Sequence, residues 1–318
     1  MIAQDRLAQI VLSLHQHRFM PEAERDPSLL AGVQGKLACA MFEGEVWLPK
    51  AGSRAPTTHI LKVSPEFDPD ITLHETALLR IAAEIGIEAA RTEDLVFEVD
   101  GLRINALLST RFDRDIKIAD GTGTIYRRHT EDFCQALGLA PSLKYERSSI
   151  NPHHRFSASA VAVVARQTTA PALLMKTFLV QTLFNLLVGN TDNHGKNASL
   201  LYRGQTAQLA PLYDVVPVVM DSRVTHTFAF GHGDADFAED FDLAALRGLL
   251  CDLGYGKPPV ARTVAQIQRM AKQIADLSAQ FARKDLAASL HARARVLEAA
   301  LGADFGLAAH ETVIVVPP

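Results

Sequence analysis

The sequence predicts an α+β fold in two lobes, a small β-rich amino-terminal lobe and a larger, mainly helical carboxy-terminal lobe. Early in the chain, short apolar segments alternate with turns that contain Gly and Asp, which is typical of hairpin strands. Later, apolar residues recur at the intervals of amphipathic helices. We expect lobes over 1–114 and 125–318, with the boundary in the Asp-, Gly- and Lys-rich segment 115–124.

The first predicted element is an amphipathic helix between residues 2 and 17, which would pack on the small lobe or be offered to a partner. Its apolar residues stand at helical spacing: Leu7, Ile10, Val11 and Leu14. Asp5 and Arg6 in this segment argue against a secretory signal peptide.

A glycine-containing loop and a β-hairpin follow. The hairpin strands are predicted at 37–41 and 46–48, with a turn between them. Glycines let backbone amides approach phosphate groups closely, although such a loop is also a common turn. The loop residues are Ala31, Gly32, Val33, Gln34, Gly35 and Lys36.

The next predicted strand, 58–63, carries Lys62 among apolar neighbours and leads into a helix. A strand lysine is usually an exposed edge residue, but this position before a helix favours a function. Glu75 at the start of the helix has two interpretations. It could form an ion pair with Lys62, which we favour, or close a capping box with Thr72.

Two strands at 95–99 and 102–108 are joined by Asp100-Gly101, a strong hairpin signal. The second strand runs into a polar segment that ends the small lobe. Charges in this segment could equally be solvated at a strand end. The segment comprises Thr110, Arg111, Phe112, Asp113 and Arg114.

The most apolar stretch, 171–189, includes Lys176, Gln181 and Asn185, so it predicts a central core helix better than a membrane span. Its end delivers the polar loop 191–197. Beyond that loop, 226–234 is expected to be a glycine-rich connector or part of a substrate rim. Residues 264–281 have the periodicity of a helix. The apolar tail 312–318 is expected either to pack on the body of the protein or to lie free.

The polar loop carries the most specific signal in the chain. Asp192 and Asn197 are five positions apart, the interval of the protein-kinase catalytic loop H-R-D-x-x-x-x-N. In that loop the Asp receives the proton of the substrate hydroxyl, and the Asn holds Mg²⁺. Asp214 would be the second metal ligand, since Mg²⁺ prefers oxygen. Taken alone, the loop could also be a solvated turn.

Taken together, these segments resemble the HipA family of serine/threonine kinases, toxins of bacterial toxin–antitoxin pairs. The resemblance implies a two-lobed protein-kinase-like fold, ATP and Mg²⁺ as cofactors, and Asp192, Lys62 and Glu75 as catalytic residues. It also implies that Asn197 and Asp214 hold the metal. The segments that carry it are 31–36, 56–62, 111–114, 131–135 with 138–139, 144–146, 189–197 and 211–214. The residues implied to contact ATP or its Mg²⁺ are the loop 31–36, Lys62, Thr110, Arg111, Phe112, Asp113, His194, Gly195, Lys196, Asn197, Tyr213 and Asp214.

The resemblance also implies partners. The glycine loop begins early in this chain, as in the short form of the family, which is similar to HipT and takes its missing subdomain from a separate small protein. Antitoxin partners, one of them DNA-binding, and an aminoacyl-tRNA synthetase as substrate are implied. Family members are silenced by autophosphorylation of a loop serine. Ser28, the nearby hydroxyl, would take that role or form an ordinary turn.

Composition fits a cytoplasmic enzyme. The net charge of −4 and the pI near 6.3 argue against direct binding to nucleic acid, so any DNA contact would go through a partner. Cys39, Cys134 and Cys251 are widely scattered, which argues against disulfides and structural zinc and predicts buried thiols.

Three other functions are compatible with some of these residues. A small-molecule phosphotransferase would use the same two-lobed plan. A non-catalytic module would bind nucleotide only to stabilise a regulatory complex. A metal-dependent hydrolase would use Asp192, His194 and Asp214, but it leaves the glycine loop and Lys62 unexplained.

Overall fold

The computed structural model describes residues 2–19, 35–42, 44–49, 55–119 and 122–307, and it confirms the predicted α+β class. Within these ranges the helices are α1 (Gln4–His17), α2 (Ile71–Glu84), α3 (Phe133–Ala136), α4 (Ala158–Arg166), α5 (Pro171–Val188), α6 (Leu243–Asp252), α7 (Val260–Phe281) and α8 (Lys284–Leu301). The strands are β1 (Gly35–Phe42), β2 (Glu45–Trp47), β3 (His59–Val63), β4 (Thr92–Val99), β5 (Leu102–Thr110), β6 (Arg114–Ala119), β7 (Thr122–Arg127), β8 (Thr130–Asp132), β9 (Ser199–Arg203), β10 (Thr206–Leu209), β11 (Thr227–His232) and β12 (Ala235–Phe237).

The amino-terminal half is built on a five-stranded antiparallel sheet in the order β2-β1-β3-β5-β4. The predicted hairpin between β4 and β5 is present, and Asp100 and Gly101 both adopt positive φ, as a tight two-residue turn requires. In the antiparallel register, Lys36 lies directly opposite Lys62. The sheet therefore places two lysines side by side at one end of its central strands.

The predicted amino-terminal helix is α1, and it packs on this sheet. Its residues Ile10, Val11 and Leu14 are buried in one apolar cluster with the strands. The approach is close at Gly35, where an added Cβ would lie 2.9 Å from Leu14 Cβ. Of the two expectations for this helix, packing on the small lobe is the one that the structure shows.

Helix α2 connects the two halves of the molecule. It packs against β4 and β5, but its apolar residues Leu78 and Ile81 belong to the large carboxy-terminal core, where it also contacts α7. Just before α2, Asp70 Oδ1 forms an ion pair with Arg283 Nη1 at 3.1 Å, and Arg283 directly precedes α8. The lobe limits 1–114 and 125–318 stay a prediction. The described part of the segment 115–124, which was expected to separate the lobes, lies in the β6–β7 hairpin.

The carboxy-terminal core surrounds α5. Its residues Phe178, Leu183 and Phe184 are buried among α4, α7, α8 and short strands. Within the described ranges, α5 is the single helix whose length and apolarity would let it cross a membrane, and most of it is buried inside the protein, as predicted for a core helix. The helix ends at Gly189 with φ +72°, and an added Cβ there would lie 2.2 Å from Val219.

Two expectations for the rest of the chain are wrong. The segment 226–234 is mainly strand β11 rather than a glycine-rich connector, because Phe228, Phe230 and His232 alternate toward the core. Cys251 is exposed, whereas Cys39 and Cys134 are buried as predicted. The helix predicted over 264–281 lies within α7, and the tail 312–318 lies outside the described residues.

The buried imidazole of His232 generates a prediction about stability. Its ring lies against Phe228 and Phe230, and its Nδ1–H donates to the Phe230 carbonyl at 3.0 Å. Burial lowers the pKa of His232 from 6.5 to about 4. Between these values the unfolded chain binds the additional proton, so the folded state loses stability as the pH falls through this range.

We expect His232→Phe to remove this part of the pH dependence. The parent should lose about 2 kcal/mol more than the variant between about pH 7 and about pH 4.5. Urea denaturation at both pH values measures the difference, and the same change at the exposed His153 is the control. Equal losses in parent and variant would show that His232 is not held neutral by the fold.

Candidate active site

A buried lysine joins three separate parts of the chain. Lys62 on β3 is 6% exposed, and its Nζ donates to Glu75 Oε1 of α2 at 2.6 Å and to Asp214 Oδ1 at 2.7 Å. The ion pair that we favoured for Glu75 is therefore present. The capping-box interpretation is wrong, because α2 begins at Ile71 and the Thr72 hydroxyl bonds to Ser64 Oγ instead.

The charges of this cluster are set by their mutual proximity. Burial alone would raise the pKa of Asp214, but Lys62 and Lys36 outweigh it and hold that pKa well below its ordinary range. Burial opposes the charge of Lys62, but Asp214 and Glu75 together raise its pKa. Asp214 is thus an anion and Lys62 a cation at neutral pH. Burial raises the pKa of Glu75, and its second oxygen, Oε2, has no hydrogen-bond partner within the described structure.

The backbone at Asp214 is unusual, since its φ of +58° lies in the left-handed region that non-glycine residues rarely adopt. Such conformations cost free energy and cluster at functional sites. The preceding ring of Tyr213 is fixed by hydrogen bonds from its hydroxyl to the Lys196 carbonyl and with Ser199 Oγ. Tyr213 thereby anchors the strained residue to the loop that follows α5.

That loop is held by hydrogen bonds to its own backbone and to a neighbouring segment. Asn197 Nδ2 donates to the Asp192 carbonyl at 3.0 Å, and the His194 amide donates to the same carbonyl at 2.8 Å. The Tyr145 hydroxyl donates to Asp192 Oδ1 at 2.7 Å. The Asp192 side chain is therefore oriented, with Oδ2 left as a further acceptor.

A second tie links the same segment to the loop. Lys144 Nζ donates to His194 Nε2 at 2.8 Å, and the Gly195 amide donates to the Lys144 carbonyl at 2.9 Å. Burial lowers the pKa of His194, so the ring is neutral at neutral pH and can accept this bond. Sequence reasoning gave Lys144 and Tyr145 no role. The signal that could have found them is the triplet 144–146 among the segments that carry the family resemblance.

The polar segment after β5 is folded back on itself rather than solvated. Arg111 and Arg114 both pair with Asp113, at 2.8 and 2.6 Å, and all three side chains are largely buried. Phe112 packs against Tyr213, with ring centroids 5.5 Å apart. The segment therefore contacts the site through its aromatic ring, while both of its arginines are paired with the one carboxylate of Asp113.

The glycine loop lies mostly outside the described residues. Ala31, Gly32, Val33, Gln34 and Ser28 are not described, so their contacts stay predictions. Gly35 and Lys36 begin β1. Lys36 lies directly opposite Lys62 in the sheet. Burial lowers the pKa of Lys36, and among charged neighbours Asp214 raises it while Lys62 and Lys144 lower it.

Asn197 and Asp214 suit a magnesium ion. Because the Asn197 nitrogen is used by the Asp192 carbonyl, its Oδ1 oxygen remains for a metal, and the anionic Asp214 has a second oxygen that Lys62 does not engage. Lys196, by contrast, is neutralised by Asp132 at 2.8 Å. The part of the chain that the structure describes has no cluster of three or more His, Cys, Asp or Glu that could hold a metal.

Comparison with known proteins identifies relatives. Residues 28–281 match the model of the HipA-like C-terminal domain family. The chain is 34% identical over 238 residues to the putative kinase Y4mE of Sinorhizobium fredii, a match that covers 75% of this chain and 54% of Y4mE. It is 32% identical over 197 residues to the serine/threonine-protein kinase toxin HipA of Shewanella oneidensis, covering 60% of this chain and 43% of HipA. The chain thus spans about half the length of these curated relatives.

Solved structures share the fold. HipA of Shewanella oneidensis, determined with HipB and operator DNA, superposes with a TM-score of 0.72 and 26% identity, covering 89% of this chain and 68% of that one. The proinflammatory kinase CtkA of Helicobacter pylori gives a TM-score of 0.54 at 13% identity, covering 87% and 91%, and shows similarity of fold alone. The predicted kinase-like fold is confirmed.

The Lys62 cluster predicts a large loss of stability on removing its cation. We expect Lys62→Met to destabilise the chain by about 3 kcal/mol or more, because it leaves two carboxylates without their partner. Lys62→Met combined with Glu75→Gln should cost less than the sum of the single changes, since the residues are coupled. Urea denaturation without nucleotide measures each value.

The control is Lys257→Met at an exposed lysine, which should change stability little. Additive costs of Lys62→Met and Glu75→Gln would mean that the buried ion pair contributes nothing to folding.

Proposed function

The chain belongs to the HipA-like C-terminal domain family, and from this we propose that it is an ATP- and Mg²⁺-dependent serine/threonine protein kinase. The observation that carries the proposal is the junction of Lys62, Glu75 and Asp214 beside the loop that presents Asp192 and Asn197. Phosphoryl transfer needs an oriented base, a cation on the phosphates and oxygen ligands for the metal. These residues supply each part.

Each residue has a role in this proposal. The Asp192 carboxylate accepts the proton of the acceptor hydroxyl, and Tyr145 keeps it oriented. Lys62 binds the α- and β-phosphates, and Glu75 holds the lysine in place. Asn197 and Asp214 would hold Mg²⁺, and the metal would supply positive charge to the phosphate oxygens. The segment Thr110–Asp113 would receive the adenine, and within that segment Phe112 packs against Tyr213.

The acceptor and partners are proposed by relationship. The Shewanella HipA structure contains HipB and operator DNA, which supports an antitoxin as partner of this chain. We propose that the kinase acts in the cytoplasm as a growth-inhibiting toxin on an aminoacyl-tRNA synthetase, and that a DNA-binding antitoxin and a small protein resembling the family's amino-terminal subdomain neutralise it. Autophosphorylation at Ser28 belongs to the same proposal.

The first test changes the proposed base. Asp192→Asn should lower transfer of labelled phosphate from ATP to protein by at least about a hundredfold, because the amide cannot accept the hydroxyl proton. Its oxygen can still accept the Tyr145 bond, so ATP binding by calorimetry should be close to that of the parent.

The control is Asp276→Asn on the exposed face of α7. A parent that labels a small molecule but no protein band would identify a small-molecule phosphotransferase instead. A parent that binds ATP and transfers nothing would support the non-catalytic module.

The second test changes the proposed metal ligand. Asp214→Asn should abolish Mg²⁺-dependent transfer, since one carboxylate ligand and the counter-charge of Lys62 are lost together. Calorimetry with ATP, with and without Mg²⁺, should show that the metal strengthens binding to the parent and not to the variant. Mg²⁺ enhancement of equal size in both proteins would remove Asp214 from the metal site.

A further inference from the structure

We propose that Lys144 is an additional catalytic residue whose ammonium group binds the phosphoryl group in transfer and stabilises the charge that develops on it. The inference rests on the proposed kinase function and adds a residue to that site. It starts from the position of Lys144 in the segment between α3 and α4, outside the loop that holds Asp192.

The fold ties Lys144 to the catalytic loop at two points. Its Nζ bonds to His194 Nε2 at 2.8 Å, and its carbonyl accepts the Gly195 amide at 2.9 Å. The next residue, Tyr145, bonds to Asp192 Oδ1 at 2.7 Å. Lys144 therefore contacts His194 and Gly195 of the loop, and Tyr145 contacts Asp192. These contacts hold the Lys144 ammonium group and the proposed base in one arrangement.

Lys144 is a cation without a counter-ion. No carboxylate lies within ion-pair distance of it in the described ranges, whereas Lys62 pairs with Glu75 and Asp214, and Lys196 pairs with Asp132. An ammonium group has three hydrogen-bond donors, and the neutral His194 ring accepts one of them. The Tyr145 ring, 4.9 Å away at its centroid, provides a second favourable surface. The remaining donors are suited to an anion.

The opposite lobe contributes a matching cation. Lys36 begins β1, and its charge interacts with those of Lys144, Lys62 and Asp214. Repulsion between lysines that approach from the two lobes is relieved when an anion enters between them. A bound triphosphate would carry that charge, with Lys36 and Lys62 on the sheet and Lys144 beside the loop as its protein cations.

The chemistry assigns Lys144 to the transferred group. The acceptor oxygen forms a bond to the γ-phosphorus while the bond from that phosphorus to the β–γ bridging oxygen breaks. The acceptor proton goes to Asp192, and the electron pair of the broken bond leaves on ADP. Charge on the γ-phosphoryl oxygens must be stabilised throughout, which is the contribution of a fixed cation. Lys62, paired with Asp214 and Glu75, is assigned to the α- and β-phosphates.

A purely structural role is the competing explanation, in which Lys144 only fastens its segment to the loop. Lys144→Gln separates the two, because glutamine keeps an N–H donor for His194 and loses the charge. Lys144→Arg keeps the charge in a different shape. Lys257→Gln at an exposed lysine far along the chain is the matched control.

The measurement is the initial rate of phosphate transfer from γ-labelled ATP with Mg²⁺ to proteins of a cell lysate, at varied ATP. We expect Lys144→Gln to lower the apparent kcat about a hundredfold or more, with the KM for ATP changed by less than about threefold. Lys144→Arg should recover part of the rate, and Lys257→Gln should match the parent. Thermal melting checks the folding of each variant. If Lys144→Gln is unfolded, Lys144→Asn, which also keeps an N–H donor and carries no charge, is scored by the same criterion.

The outcomes separate the two proposals. An active parent with a Lys144→Gln variant within threefold of its kcat overturns the catalytic role of Lys144 and leaves the kinase function standing. A parent that transfers no phosphate from ATP overturns both. A loss in kcat that Lys144→Arg partly restores supports a catalytic cation, because a fastening role would be met by glutamine.

Discussion

The ammonium group of Lys62 is the interaction on which the rest of the site depends. It is buried, and it contacts a carboxylate from α2 and another from the segment after β10. A charge in such surroundings is tolerated only while its partners are in place. The strand, the helix and the Asp214 segment must therefore fold into register together. Asp214 accepts its hydrogen bond from Lys62 while its own backbone is left-handed, with φ +58°.

The packing of α2 against the carboxy-terminal core positions Glu75 in this cluster. Its apolar face is part of the carboxy-terminal core, and its first residues contact the start of α8 through the pair of Asp70 and Arg283. Glu75 is consequently positioned by packing in the larger half, while Lys62 is positioned by the sheet of the smaller half. The ion pair links the two halves, so the same contact that orients the lysine also joins sheet to helical core.

Local patterns predicted much of this arrangement and missed what depends on distant contacts. The Asp100-Gly101 hairpin and the core helix α5 follow from turn chemistry and apolar composition, which act within a few residues. The strand β11 was missed because Gly231 and the nearby Gly233 obscured the alternation of Phe228 and Phe230. The capping-box alternative for Thr72 could be rejected only from the structure, because its hydroxyl partner, Ser64, lies before the helix. Exposure of Cys251 depends on which face of α6 meets the core, which residue type alone does not determine.

The segment that carries Lys144 and Tyr145 explains how the polar loop 191–197 is held in one conformation. Neither residue lies in regular secondary structure, and their partners are about fifty residues further along the chain. Loop side chains without such partners would sample several rotamers and lose the geometry that proton and phosphoryl transfer require. Here Lys144 and Arg147 both lie over the Tyr145 ring, and the Tyr145 hydroxyl donates to Asp192. Rigidity of the polar loop 191–197 is thus supplied from outside it, by the segment between α3 and α4, whose Tyr145 ring contacts Lys144 and Arg147.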